Sequence, residues 1–218
     1  MATASPERAQ LDLYWIPLGA GARVVRVCGR LYEALAALLQ HRPRCDLYHS
    51  ALVADTPRGR FFVEVTPVPG HDDGDRGVIG GGAVGSRLLG CLRVFRYELR
   101  RWLDGVIPDI GSAVDSPVRI SDDPRVVDDV LTVLADVPTP VWGRDELHAG
   151  EMWNSNSVIS WALVRGGVID AAGPPPRGGR APGWDAGVVV AGRSSPRAAG
   201  EPSTLPLAPQ GAGSLHQG

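Results

Sequence analysis

Three kinds of residue in this chain have types and spacing suited to chemistry: an imidazole at His49, a polar pair at Glu64 and Thr66, and a hydroxyl at Ser155. His49 lies within residues 46–54 (DLYHSALVA), a β-rich run. An imidazole titrates near neutral pH and suits a general base. A histidine among apolar residues must also find a hydrogen-bond partner if buried, so a satisfied core or edge histidine is the competing reading. Glu64 and Thr66 alternate with Val63, Val65 and Pro67 on the next run, residues 60–67. Either one orients His49 if the hairpin register brings it across. A five-residue turn at 55–59 puts Val65 opposite His49, and a turn one residue shorter or longer puts Glu64 or Thr66 there. Solvent-facing alternation is the other reading of this pair.

Ser155 opens the stretch around which the other elements are arranged. Trp153-Asn154-Ser155-Asn156-Ser157 is followed by apolar residues at 158, 159 and 161–163, then by Arg165 and Gly166-Gly167. That pattern predicts a helix over 153–165 with a polar start and a glycine stop. Asn154 or Ser155 suits the cap, because a short side-chain oxygen accepts from free N–H groups of the first turn. A hydroxyl there sits at the positive end of the helix dipole, where developing negative charge is favoured. A nucleophile and a plain cap both fit that place.

Other constellations carry less. His71-Asp72-Asp73-Gly74-Asp75 lacks the twelve-residue order and closing glutamate of a calcium loop. Gly80-Gly81-Gly82-Ala83-Val84-Gly85 fits GxGxxG literally, but only Val78-Ile79 precede it, and Gly90 interrupts any helix after it. His41, Cys45 and His49 have a metal-like spacing of four and four, yet Pro43 breaks any helix through them. No metal and no cofactor are expected. Asp122, Asp123, Asp128 and Asp129 read as a solvated helix start. His148 belongs to the loop before the helix. Trp142, Trp153, Trp161 and Trp184 read either as buried loop anchors or as walls of a cleft.

Around these residues the pattern predicts a series of short elements. Residues 1–10 read as a loose arm. Strands are predicted at 11–18 and 23–28, a helix at 29–40, and the hairpin at 46–54 and 60–67. Residues 70–90, rich in glycine, read as a long loop, 91–102 as a half-buried strand and 106–120 as connection. A helix is predicted over 122–136, with Asp122 or Asp123 as cap and Pro124 at the first helical position. Residues 185–191 (DAGVVVA) read as a last short strand, and 193–218 as a disordered tail. The order of runs predicts an α+β fold, a small antiparallel sheet packed by a few helices, with one domain over 11–192.

Composition narrows the function classes. The chain has 218 residues, 44% hydrophobic, and a formal charge of −2, which suits one domain with a real core. That balance makes no electrostatic case for nucleic acid or for an acidic membrane surface. All 22 basic residues are arginine, which we read as the codon bias of a GC-rich genome. Three scattered cysteines, Cys28, Cys45 and Cys91, without a CxxC, fit a reduced, cytoplasmic protein. No signal peptide is read in residues 1–10, and no apolar run approaches membrane-spanning length. The expected partner is a small molecule or a peptide.

A histidine on a strand, a polar residue on the next strand and a nucleophile-sized residue opening a later helix resemble the circularly permuted papain fold. That group includes lecithin retinol acyltransferase-like proteins and bacterial relatives of the cell-wall endopeptidases. Tyr48-His49-Ser50-Ala51-Leu52 resembles the histidine strand, and Asn154-Ser155-Asn156-Ser157 the helix opening, which is usually Asn-Cys. The latter is also similar to an uncharacterised bacterial family with Pro-Asn-Ser-Asn before this helix. The resemblance spans about residues 46–165. It implies Ser155 as nucleophile, His49 as base, Glu64 or Thr66 as orienting group, and Asn154, Asn156, Ser157 and Trp153 as oxyanion or substrate contacts. The substrate class implied is an amide or ester. Ser155 replaces the cysteine, and a hydroxyl needs stronger activation than a thiol. A hydrolase or acyltransferase relative and a non-catalytic binding domain that keeps only the fold are both compatible with these residues.

Overall fold

The computed structural model describes residues 9–19, 33–34, 37–38, 41–68 and 76–193. The fold is α+β, and the described residues include one six-stranded antiparallel sheet and three α-helices of defined extent. The strands are β1 (Gln10–Pro17), β2 (Tyr48–Thr56), β3 (Gly59–Pro67), β4 (Val78–Ala83), β5 (Arg96–Leu103) and β6 (Val118–Ser121). Their order across the sheet is β4-β5-β3-β2-β1-β6. The helices are α1 (Pro124–Val133), α2 (Ser155–Arg165) and α3 (Trp184–Arg193).

Strand alternation sorts the side chains onto two faces. Leu11, Leu13 and Trp15 of β1, Tyr48, Leu52 and Ala54 of β2, and Val63 and Val65 of β3 meet all three helices in one core. Ile16 and Ala51 face the other way and are covered by Ile107, Ile110 and Ala113 of the segment between β5 and β6. The central strands are therefore buried on both faces, by helices on one side and by an irregular segment on the other.

Local chemistry places the helices largely where the pattern predicts. Asp123 caps α1, its carboxylate accepting from the Arg125 N–H, with Pro124 at the first helical position. Asn154 caps α2, and Gly166 ends it. The hairpin turns tightly, with Thr56 opposite Gly59 and Leu52 opposite Val63.

Several expectations are corrected. Residues 185–191 form part of α3, not a strand. Valines at 188–190 favour strands locally, but Ala186, Gly187 and Ala191 give this segment a small, buried face that packs on α2, and that tertiary contact overrides propensity. The glycine-rich loop contains β4, where Gly81 and Gly82 lie against Tyr97 so closely that a Cβ would collide with its backbone or ring. The connection at 106–120 contains β6. The strand expected from 91 begins at Arg96, because residues 88–95 form two exposed 3-10 turns. Gln10 already belongs to β1. The strand at 23–28, the turn at 71–75 and residues 194–218 lie outside the described residues. Of the helix expected at 29–40, Glu33, Ala34, Ala37 and Leu38 are described and are helical.

The tight contact between α2 and α3 gives a test. A Cβ on Gly187 would fall deep inside van der Waals contact of the Ser157 carbonyl oxygen and Ser160 Oγ. Gly187→Val is expected to destabilise the fold by about 3 kcal/mol, the upper part of the usual overpacking range. Urea unfolding followed by circular dichroism checks this, and an unchanged midpoint would contradict the α2–α3 contact.

Candidate functional site

The site forms where the sheet parts. β2 pairs with β3 only from Thr56–Gly59 to Leu52–Val63. Beyond that point β2 stays with β1 as far as Tyr48–Pro17, and β3 stays with β5 as far as Pro67–Tyr97. Extending the hairpin register brings Thr66, not Glu64, level with His49, across a gap rather than a ladder.

The tip of α2 fills part of that gap. The Tyr48 N–H donates to the Arg180 carbonyl at 2.8 Å, and the Tyr48 carbonyl accepts from Asn156 Nδ2 at 3.0 Å. Asn156 Nδ2 also donates to the Pro182 carbonyl at 2.9 Å, while its Oδ1 accepts from Ser50 Oγ at 2.9 Å. One buried amide thus replaces a missing strand partner and ties α2 to β2 and to the loop before α3.

The neighbouring polar residues have separate tasks. Asn154 Oδ1 accepts from the N–H groups of Asn156 and Ser157, and its Nδ2 donates to the Pro182 carbonyl. Ser157 Oγ accepts from the Asn154 N–H and donates to the Gly183 carbonyl at 2.7 Å. These contacts complete a capping box. Trp153 is a core side chain. The structure therefore commits Trp153, Asn154, Asn156 and Ser157 to the protein's own framework, and none of them lines the cavity at the helix tip.

Ser155 is different. It is 5% exposed, and among the described residues its hydroxyl has no hydrogen-bond partner. It lines that cavity, of about 300 Å³, together with His49, Glu64, Val65, Thr66, Pro67, Pro108, Asp109 and Trp142. The lining comes from both faces of the sheet. Val65 and Trp142 belong to the helix-side core. His49 shares its face with Ile16 and Ala51, opposite α2. The structure brings His49, Glu64, Thr66 and Ser155 around one cavity and forms no hydrogen bond between His49 and Ser155.

The group that meets the imidazole is Asp109, whose Oδ2 lies 3.2 Å from His49 Nε2. That hydrogen bond holds the Asp109 carboxyl below its usual range despite partial burial. Glu64 turns to Arg100, with Oε1 3.2 Å from Nη1. Burial pushes the Glu64 carboxyl up, and Arg100 offsets this only in part. Two carboxylates on one wall are thus driven in opposite directions. Asp109 was not anticipated because Pro108, Gly111 and Pro117 mark its segment as a connection. The available signal was Ile107 and Ile110 on either side of it, an apolar pair that a solvated loop does not need.

Elsewhere, His148 is exposed, and its carbonyl accepts from Arg193 Nη2. Among the described residues no group of three or more His, Cys, Asp or Glu side chains is placed to hold a metal ion. No helix there is long and apolar enough to cross a membrane.

Fold and site together define an α+β protein with a through-sheet cavity at a helix N-terminus. No protein-family model, curated protein or solved structure matches the chain.

The geometry can be tested at two residues. Asn156→Ala leaves the Tyr48 carbonyl and the Ser50 hydroxyl without their partner, and is expected to cost about 3 kcal/mol in urea unfolding. A loss below about 1 kcal/mol, the worth of one ordinary hydrogen bond, would show that the amide is not the tie between α2 and the sheet. Asp109 has a depressed folded pKa. Its contribution is present above the unfolded carboxylate value of about 3.9 and is lost as pH falls through the lower folded value. Asp109→Asn is therefore expected to be less stable than wild type by about 1 kcal/mol near neutral pH, with the gap closing in acid. Paired unfolding midpoints across that range check it, and a pH-independent gap would contradict the assignment.

Proposed function

We propose that this chain is a ligand-binding relative of the permuted papain-like proteins, whose cavity takes a small amide-bearing molecule or the end of a peptide without covalent catalysis. The observation that carries this reading is the divided site. Ser155 is buried, its hydroxyl is unpartnered among the described residues, and it lines the cavity, whereas His49 is bonded to Asp109 and belongs to the opposite face of the sheet. A serine becomes a nucleophile when a base takes its proton within hydrogen-bond reach, and His49 is engaged elsewhere.

An amide suits the two walls. Its carbonyl oxygen would accept from the Ser155 hydroxyl and the Ser155 N–H, at the positive end of α2. The Asn154 cap takes the next two N–H groups and leaves this one. Across the cavity, Asp109 and Glu64 offer oxygens to the amide N–H. Val65, Pro67, Pro108 and Trp142 supply the apolar lining that most pockets use for affinity. A simple anion fits poorly, because both ionisable groups besides His49 on the lining are carboxyls. A volume of about 300 Å³ admits a capped amino acid, not a large substrate.

A second reading keeps Ser155 as a nucleophile, supported by its sharing one cavity with His49. A fluorophosphonate probe and a titration with N-acetyl-leucine amide separate the two. Wild type is expected to remain unlabelled while the amide signal of Ser155 shifts in ¹⁵N-resolved spectra. Ser155→Ala, which removes only the hydroxyl, is expected to weaken binding about tenfold, the equivalent of one hydrogen bond of about 1.4 kcal/mol. Labelling of wild type but not of Ser155→Ala would install the catalytic reading. Neither labelling nor a shift would remove both.

A further inference from the structure

Away from the cavity, residues 88–95 present an apolar surface that the fold does not use. They make two 3-10 turns, Leu88–Cys91 and Arg93–Phe95, and no residue of either turn is buried. Leu88 is 86% exposed, Val94 73%, Leu92 51% and Leu89 42%, with the Cys91 thiol also at the surface. Singly exposed leucines are ordinary, but four large apolar side chains in seven residues form a patch, and such patches mark interaction sites.

Within this segment itself the charge has one sign. Between Gly77 and Arg96 the chain carries three arginines, Arg87, Arg93 and Arg96, and no acidic residue. All three are exposed. Glu146 reaches this segment and is met by Arg87 in a fork, at 2.9 and 3.0 Å. Arg144 adds a fourth positive group beside Gly85. Exposures as high as those of Leu88 and Val94 describe side chains that stand proud of the surface. A protein partner would need a matching groove for each of them, whereas acyl chains accommodate such tips without one.

We infer that the 88–95 turns are a peripheral docking surface for an anionic lipid bilayer. Leu88, Leu89, Leu92 and Val94 enter the headgroup–acyl boundary, and the arginines contact anionic headgroups. Apolar insertion and electrostatic attraction together give the reversible, lipid-composition-dependent binding of monotopic surfaces. This inference is independent of the cavity and of the molecule that the cavity binds.

Sedimentation of the full chain with phosphatidylcholine vesicles, alone or with one third phosphatidylglycerol, tests it. Partition to the anionic vesicles is expected to exceed that to neutral ones about tenfold and to fall with added salt. Leu88→Asp/Val94→Asp is expected to lose at least about tenfold of it. Both positions are exposed, so circular dichroism and the unfolding midpoint stay as in wild type. Failure of wild type to sediment with anionic vesicles would overturn the inference, as would equal binding by the double variant. A wild-type dimer that the double variant dissociates, without vesicle binding, would overturn it in favour of a second copy of this chain.

Discussion

The Asn156 amide is the interaction on which the site depends. Two strands that part inside a sheet leave backbone groups without partners, and buried groups in that state are costly. Tyr48 faces that problem at the start of β2. The Arg180 carbonyl and the Asn156 side chain solve it, one from a loop and one from a helix tip. Because Asn156 also bonds Ser50 and Pro182, the same amide sets how far α2 stands from the sheet. The opening between β2 and β3 thereby becomes a built feature with fixed walls.

That opening explains why the lining is chemically mixed. A strand presents alternate residues to opposite faces, so an intact sheet would keep Val65 and Ser155 apart from His49 and Glu64. Where the ladder stops, residues of both faces border one space. The helix side brings the hydroxyl, a valine and Trp142. The other side brings His49, Glu64 and Asp109, carried by the segment that packs over Ile16 and Ala51. Asp109 is held below its usual range by the imidazole, while Glu64 is raised by burial. The acid–base character of the cavity is thus concentrated on the wall away from the helix.

The sequence showed most of what is local and little of what is long-range. Asn154 as a cap, Pro124 at a helix start and the hairpin around residues 57 and 58 are encoded within a few residues, and each is found. The register of His49 against β3 is not local. It depends on a single residue of turn length, and the strands then separate before the predicted pairing is reached. The segment at 185–191 reads as a strand because its valines dominate the local signal. Its helical state arises from Ala186, Gly187 and Ala191 packing on α2, a contact that no short window contains. Asp109 stayed hidden for the same reason. Its partner His49 is 60 residues away, and prolines and glycine around it mask the two isoleucines that pin its segment down.

The run Asn154-Ser155-Asn156-Ser157 shows how helical geometry divides labour among residues that look alike in sequence. At 3.6 residues per turn, successive side chains point about 100° apart, so four small polar groups at a helix start cannot all face one ligand. Asn154 turns inward to the first N–H groups, Asn156 to β2, and Ser157 to the backbone before α3. Three of the four are consumed in holding the tip in place. The remaining direction belongs to Ser155, and it opens on the cavity. A polar helix opening that invites reading as a cluster of ligand contacts is therefore one contact and its mounting. The rigidity of that mounting lets a single hydroxyl, with the N–H beside it, present a defined position to whatever enters.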